Sequence, residues 1–355
     1  MGKPSIIFRG NFIKKPFVTL LCLNYNSIMY RFSDQEVAMK KGKHKLLTIS
    51  ILITLTSAAI FIINKLIAAS AVVKNLLHSR EENYYNWRFG KIHYTKQGSG
   101  SPLLLIHDLN PYGNLHEWKA VAEELAKKHT VYCIDLLGCG CSDRPKITYT
   151  NFLYVQLITD FIKTVIKEKT DVITSGLSGS FTVMACRNDD AIINKIMMVN
   201  PTDLAVLNQI PTKQSKIAKF LLELPLVGTL VYNVIVSKGN VDLLFTEQLV
   251  YNPFHVDTEL VDTCYESAHL EKGNGKYLLS SIAGKYIYCS IAATLKEINN
   301  SIYIIGGQAE KGIQETVALY TSMNFSIESE IFSHTKHLPH LEAPRQFLAT
   351  ADIFF

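Results

Sequence analysis

Residues 171–186 constrain the fold more than any other stretch, because a short apolar strand, a tight turn and an apolar helix start follow one another there. Gly176 and Ser180 flank Ser178 at a distance of two residues on each side. Small residues at these two places let the chain double back without a clash. A serine at the top of such a turn is lifted out of the sheet, with the next helix behind it. The pattern therefore predicts that Ser178 lies at the top of a sharp strand-to-helix turn.

Apolar runs alternate with amphipathic helical segments on both sides of this turn. Leu103–Ile106 is a continuous apolar run, as expected for a strand that is buried on both faces. Further strands are predicted at residues 130–134, 171–175, 195–199, 301–305 and 326–332. In the last of these, glutamates alternate with apolar residues, which is typical of a strand near a sheet edge. Together they predict an α/β fold with a doubly wound, mostly parallel sheet.

The alternation stops after Pro201 and returns about a hundred residues later. Residues 204–276 contain helical stretches without intervening strands. We therefore expect a helical cap at 204–276, inserted between a first core segment, 87–203, and a second core segment, 277–355.

The N-terminal region contains an uncharged apolar run, Leu46–Asn64. At ~1.5 Å per residue it approaches the ~30 Å of a bilayer core. Residues 39–45 carry four lysines, more than the sequence just after the run, which predicts a single-pass anchor with the N-terminus inside and the catalytic domain outside. Residues 65–86 would then form a stalk. A secreted protein, cleaved near Ala69–Ala71, is the alternative.

Met39 followed by a basic segment resembles a natural translation start. Residues 1–38 show no sustained periodicity, and codons for Gln35–Val37 can contain a purine-rich ribosome-binding sequence. Our hypothesis is that residues 1–38 are translated upstream sequence, which the coding DNA would test.

Charge and cysteine content limit the classes of partner. Residues 1–45 hold nine Lys or Arg and two Asp or Glu, while the whole chain has a net charge of +5, so the remainder is near −2. This balance argues against a nucleic-acid partner. Seven scattered cysteines show no zinc spacing, and we predict no metal and no cofactor.

A histidine-containing segment lies at the end of the predicted core. Residues 336–347 read Lys-His-Leu-Pro-His-Leu-Glu-Ala-Pro-Arg-Gln-Phe. This segment resembles the Gly-His-x-Pro-x-x-Glu-x-Pro-x-x-Phe segment of α/β-hydrolases, and the turn around Ser178 resembles their Gly-x-Ser-x-Gly elbow. The resemblance implies a capped α/β-hydrolase fold with a serine nucleophile. It makes His337 the base and puts His340 at a variable position.

The same resemblance suggests the remaining members of the site. Glu310 follows the strand at 301–305, where the family places the triad acid. Asp203, just beyond the strand at 195–199, is the alternative acid. The backbone amides of Leu109 and Gly179 would form the oxyanion hole. Asp108 replaces the glycine of the family's His-Gly segment, and a carboxylate there would oppose an oxyanion.

These features predict a membrane-anchored serine hydrolase. It would cleave an ester-like or thioester-like bond of a small-molecule acyl substrate through an acyl-enzyme. The alternative is a catalytically weak binding protein with the same fold. The sequence does not predict the oligomeric state.

Overall fold

The structure, a computed structural model, describes residues 16–77 and 83–355. These residues form two compact units, one ending at Ala59 and one running from Ile60 to Phe355. Residues 1–15 of the predicted N-terminal extension lie outside the described residues.

An eight-stranded sheet in the second unit has the order β1-β2-β4-β3-β5-β6-β7-β8. The strands are β1 Asn83–Trp87, β2 Gly90–Gly98, β3 Ser101–Ile106, β4 His129–Ile134, β5 Thr170–Ser175, β6 Ile193–Val199, β7 Ile302–Gly307 and β8 Glu328–Phe332. The pairs β1–β2 and β2–β4 are antiparallel and the other pairs are parallel. The predicted doubly wound, mostly parallel sheet is confirmed, and β8 lies at an edge as expected.

Helices cover both faces of this sheet and form the insertion. In chain order they are α1 Pro16–Ala71, α2 Ala122–Leu125, α3 Asn151–Phe161, α4 Ser178–Asn188, α5 Leu204–Leu207, α6 Lys213–Glu223, α7 Val227–Ile235, α8 Lys238–Leu244, α9 Thr258–His269, α10 Lys276–Ala283, α11 Ala292–Glu297, α12 Ile313–Met323, α13 Pro339–Glu342 and α14 Pro344–Phe354. A π-helical turn, Phe245–Leu249, follows α8 directly.

The central strand β3 shows why the sheet needs helices on both sides. Leu104 and Ile106 belong to one apolar cluster, whereas Leu103 and Leu105 belong to another. Successive side chains of a strand point to opposite faces, so a continuous apolar run requires cover on both. All four side chains are fully buried.

Two predicted boundaries differ from the structure. The helical insertion between β6 and β7 runs over residues 204–297, longer than the predicted 204–276, and α10 packs on α6 through Ser280 Oγ, which donates to Glu223 Oε1 at 2.8 Å. The predicted stalk, 65–86, is not one helix, because α1 ends at Ala71 and β1 begins at Asn83. Residues 83–86, which were predicted to belong to the stalk, form part of β1 and pair with β2 in a hairpin.

Within the described residues, His44–Ala71 is the one unbroken helix that is long and apolar enough to cross a membrane. A signal sequence would meet the same criteria of length and composition. The bent pair α6 and α7 also meets them if its two helices are taken together, with an angle of 102° between them.

Asn200, at the end of β6, fixes the loops that follow β7 and β8. Its side-chain Nδ2 donates to the carbonyl oxygens of Lys336 and His337, both at 2.8 Å. Its Oδ1 accepts from the amide of Gly307 at 3.0 Å. Asn200 has a φ of 42°, a left-handed conformation that asparagine tolerates better than most residues. One buried side chain therefore holds two loops in register.

Replacing Asn200 with glycine should destabilise the fold, because one buried and two partly buried backbone groups lose their partner while the left-handed backbone stays unstrained. We expect a loss of about 3 kcal/mol in the free energy of unfolding, measured by urea denaturation. Asn299→Gly, at an exposed position, is the matched control and should change it by less than about 1 kcal/mol. Equal losses in both variants would contradict this role of Asn200.

Candidate active site

The turn after β5 lies two residues earlier than the motif predicts. Gly176 has a φ of 53°, the conformation that a sharp strand-to-helix turn demands, whereas Ser178 is already in the first turn of α4. The Ser178 side chain is fully buried, and its Oγ donates to the carbonyl of His107 at 2.6 Å. No hydrogen bond joins Ser178 to His337 in the described part of the chain. The residue at the top of the turn is therefore a glycine.

The carboxylate of Asp108 occupies the space that a side chain at Gly176 would fill. A Cβ on Gly176 would overlap with Oδ1 of Asp108. This oxygen accepts from the amide of Leu109 at 2.9 Å and from the amide of Leu177 at 2.8 Å. In this fold the oxyanion hole uses the amide after the turn residue and one from the loop after β3. Asp108 therefore places its own oxygen in the hole.

Of the two backbone amides predicted to form the oxyanion hole, one binds Asp108 and the other does not. The Leu109 amide is one of the two that bind Oδ1, and the second comes from Leu177 instead of Gly179. Gly179 lies in the first turn of α4, where a Cβ would come within 2.5 Å of the Met198 side chain. The difference follows from the position of the turn, since the second donor is always the residue after it.

The loops after β7 and β8 bring Glu310 and His337 together. Nδ1 of His337 lies 3.3 Å from Oε2 of Glu310, and its Nε2 lies 4.0 Å from Oδ2 of Asp108. Both loops are tied to each other, because the amide of Ala309 donates to Thr335 O at 2.9 Å. The result is a line of groups that runs from a carboxylate through an imidazole to a second carboxylate.

The electrostatics of this line favour the imidazolium form. Burial alone would lower the pKa of His337, but Glu310 and the nearby carboxylates of Asp108 and Glu117 raise it above its ordinary value of 6.5. A carboxylate at Nδ1 also fixes the tautomer and leaves Nε2 to exchange a proton with a reacting group.

Asp203, the alternative acid, has a different role. It is the N-cap of α5, and its Oδ1 accepts from the amide of Ala205 at 2.6 Å. Its Oδ2 lies 3.4 Å from Thr316 Oγ1. Among the described residues, no contact joins Asp203 to His337.

Two buried side chains, Glu117 and His340, lie next to the site. Oε2 of Glu117 accepts from the amide of Asp108 at 3.2 Å, and burial raises the pKa of Glu117 to about 7. His340 is fully buried and packs on Trp118 with ring centroids 4.4 Å apart, and burial lowers its pKa to about 3. His340 is therefore a neutral packing residue. Sequence reasoning missed Glu117, which carries no motif.

A cavity of about 30 Å³ lies between this line of groups and the cap. Asp108 and His337 line it on one side, and four side chains of the cap line it on the other, namely Phe245, Leu249, Leu260 and Cys264. A space of this size holds one or two waters.

One group in the described residues has ligand atoms close enough for a metal ion, namely His93, Asp135 and Cys141. The Asp135 carboxylate already accepts from the amides of Leu115 at 2.7 Å and Cys141 at 2.8 Å, and lies 2.7 Å from His93 Nδ1. These contacts shape the loop after β4, and none of the three residues lines the cavity at His337.

Residues 103–351 match the model of the alpha/beta hydrolase family. The chain belongs to this family. An uncharacterized protein of Mycobacterium tuberculosis is 28% identical over 29% of this chain, and the match spans only 30% of that relative's length. A fluoroacetate dehalogenase of Burkholderia is 50% identical over 14% of this chain and 15% of its own length.

Solved structures show the same fold. The crystal structure of a serine hydrolase involved in carbazole degradation, the CarC enzyme, superposes with a TM-score of 0.64 at 18% identity. It covers 77% of this chain and 97% of that one. The family and its neighbours are hydrolases, which supports a hydrolytic function.

The raised pKa of His337 can be measured directly. In NMR spectra of the ¹³C-histidine-labelled protein, the His337 signal, assigned by its loss in His337→Gln, should titrate above 6.5. Glu310→Gln removes the negative charge beside Nδ1, so the pKa of His337 should fall, whereas Asp203→Asn should leave it unchanged.

The same pKa should govern the pH dependence of activity. A base acts in its neutral form, so activity that depends on His337 should fall as the pH drops through this raised pKa. In Glu310→Gln the acid limb of the pH–activity profile should move to lower pH. A larger shift in Asp203→Asn would exclude Glu310 as the partner.

Proposed function

We propose that this chain is a hydrolase in which the Asp108 carboxylate is the nucleophile and His337 activates water. The observation that carries the proposal is that Oδ1 of Asp108 is held by two backbone amides while Oδ2 faces Nε2 of His337 at 4.0 Å. Carboxylates serve as nucleophiles in covalent catalysis. The separation is longer than a hydrogen bond, so neither group neutralises the other directly.

The substrate class that fits is a small molecule with an electrophilic saturated carbon and a leaving group. In the first step Oδ2 bonds to this carbon, and the leaving group departs with the electrons of the broken bond. The product is an alkyl ester of Asp108. A carboxylate already in the oxyanion hole suits this step, because the attacked carbon develops no oxyanion.

In the second step His337 takes a proton from water, and the hydroxide attacks Cγ of the ester. The negative charge then develops on Oδ1, which the amides of Leu109 and Leu177 already bind. The bond from Cγ to Oδ2 breaks, and Oδ2 leaves with the alkyl group as an alkoxide that takes the proton from His337. The new carboxyl group of Asp108 keeps the oxygen of the hydroxide and releases its proton to solvent. Glu310 stabilises the imidazolium formed in between. The relative named as a fluoroacetate dehalogenase, an enzyme named for such a bond cleavage, favours this chemistry.

The serine acyl-enzyme mechanism, acting on an ester-like or thioester-like bond, is the second candidate. It is favoured by the spacing around Ser178 and by the serine hydrolase among the structural neighbours. It requires Ser178 to leave His107, to reach His337, and to displace Asp108 from the oxyanion hole. The first and the third of these changes break hydrogen bonds of 2.6–2.9 Å.

Trapping the covalent intermediate distinguishes the two mechanisms. His337→Gln, incubated with fluoroacetate, chloroacetate and propylene oxide, should accumulate an alkyl adduct with one of them, because the ester forms but is not hydrolysed. Peptide mass spectrometry should locate the adduct on Asp108. His337→Gln/Asp108→Asn should gain no adduct, and His337→Gln/Ser178→Ala should gain it as before.

A single turnover in H₂¹⁸O gives an independent readout on the unmodified protein. The label should enter the Asp108 carboxylate, because water attacks Cγ. A fluorophosphonate adduct on Ser178, with no alkyl adduct on Asp108, would instead favour the serine mechanism. The absence of any adduct on either residue would favour the binding protein.

We also propose that residues 46–64 anchor this hydrolase in the membrane, with the N-terminus inside. The lysines before the run support this orientation. Retention of the segment is supported by Asn64, which is buried and whose Nδ2 donates to Leu226 O at 3.0 Å. Cleavage near Ala69–Ala71 would remove this contact.

The topology is testable on intact cells. A protease added outside should degrade the domain that follows Lys65, while a cytoplasmic marker protein stays intact. Full protection of the domain, with degradation only after lysis, would reverse the orientation. Recovery of the domain in the medium would instead indicate a cleaved signal.

A further inference from the structure

Two successive helices of the cap each expose several apolar side chains. These residues, which we call the α6–α7 face, are Ile217, Phe220, Leu221, Val227, Val231 and Val234. On each helix they are spaced three or four residues apart, so they lie along one side. The opposite sides are buried, as shown by Leu222 on α6 and by Tyr232 on α7. The core of the cap is therefore complete without this face.

The α6–α7 face is joined directly to the last turns of α1. The Nδ2 of Asn64 donates to Leu226 O at 3.0 Å, and Nδ2 of Asn233 donates to Asn64 Oδ1 at 2.9 Å. Both asparagines are at least nine-tenths buried. This contact fixes the level of α7 with respect to Asn64.

Asn64 is the last residue of the uncharged apolar run and is followed by Lys65. In a membrane-spanning helix this position lies where the hydrocarbon core meets the headgroups. Because α7 is hydrogen bonded to Asn64 at both of its ends, its backbone lies close to the level of Asn64. Helices with one apolar side insert it by about 5–10 Å at that boundary.

The composition of the pair suits such a boundary. Residues 213–235 contain three lysines and one glutamate, and the glutamate, Glu223, is paired with Lys219 at 2.5 Å. Lys213 and Lys216 are exposed. Free positive charges beside an apolar side favour a surface with anionic lipids.

An open groove of about 680 Å³ adjoins this contact, between residues 61–72 and the cap. Its surface is mainly apolar, with Phe61, Ala68, Val72 and Leu226 among the lining residues. The groove lies beside the same turns of α1 that bind α7.

We propose that the α6–α7 face inserts into the acyl–headgroup boundary of the bilayer that α1 crosses. The cap then rests on the membrane surface. This inference depends on the proposed membrane anchor. It requires no particular substrate and no particular nucleophile.

Tryptophan quenching by brominated lipids tests the insertion in the full chain. The two native tryptophans, Trp87 and Trp118, are buried and give the background signal. Phe220→Trp and Val231→Trp place a new tryptophan on the face at positions that are 63% and 44% exposed. Phe325→Trp, at a position 95% exposed before β8 and at the end of the sheet away from the cap, is the matched control.

The proteins are reconstituted into vesicles of phosphatidylcholine and phosphatidylglycerol, brominated near the carboxyl end of the acyl chain. We expect Phe220→Trp and Val231→Trp to lose at least twice as much fluorescence as the wild type, and Phe325→Trp to match the wild type. If the proteins float with the vesicles but the face tryptophans are not quenched, the inference is wrong although the anchor stands. A second copy covering the face would give this same unquenched result, and concentration-dependent crosslinking at Val231→Cys would identify it. If the wild type does not float, the anchor itself is wrong and the inference falls with it.

Discussion

The arrangement of the site depends on one carboxylate, that of Asp108, and on the two amides that it accepts. Hydrogen bonds to an ionised acceptor are roughly twice as strong as neutral ones, and here they join the loop after β3 to the turn after β5. Gly176 makes the contact possible, because any side chain there would occupy the position of Oδ1. A glycine with a positive φ and a carboxylate from another strand thus replace what one side chain at the turn would supply. The fold keeps its oxyanion hole but fills it with its own anion.

The imidazole beside this carboxylate is held by contacts that do no chemistry. Asn200 binds the carbonyls of Lys336 and His337 and the amide of Gly307, so the acid loop and the histidine loop share one support. A base must lie within a few tenths of an ångström of its working position to be effective. The hydrogen bonds of Asn200 hold the backbone of the His337 loop in place. The packing of His340 on Trp118 holds the residues that follow it.

Local patterns predicted the sheet and the loop that carries His337, whereas the place of Asp108 beside the turn at Gly176 depends on a contact between distant segments. Strands and helices follow from hydrophobic period, and the pairing of His337 with Glu310 follows from their places after successive strands. The turn at Gly176 could not be placed in this way. Gly-x-Ser-x-Ser fits a turn at Ser178 by local sterics, but Asp108 lies in the space above Gly176, and only the folded chain brings these residues together. Asn200 escaped notice for the same reason, since its partner Lys336 lies far along the chain, whereas Glu117 is only nine residues from Asp108 but belongs to no motif.

Helix α9 contacts both the cavity beside His337 and residues 74–77, which follow α1. Leu260 and Cys264 lie on the side that closes the cavity over Asp108 and His337. From other sides of the same helix, Asp262 pairs with Lys74 at 2.6 Å, and Glu266 accepts from the amides of Leu76 and Leu77 at 2.9 and 3.4 Å. Residues just beyond α1 and the roof of the cavity are therefore attached to one rigid element. A movement of α9 that widens the cavity of about 30 Å³ would therefore also change the contacts of Asp262 and Glu266 to residues 74–77.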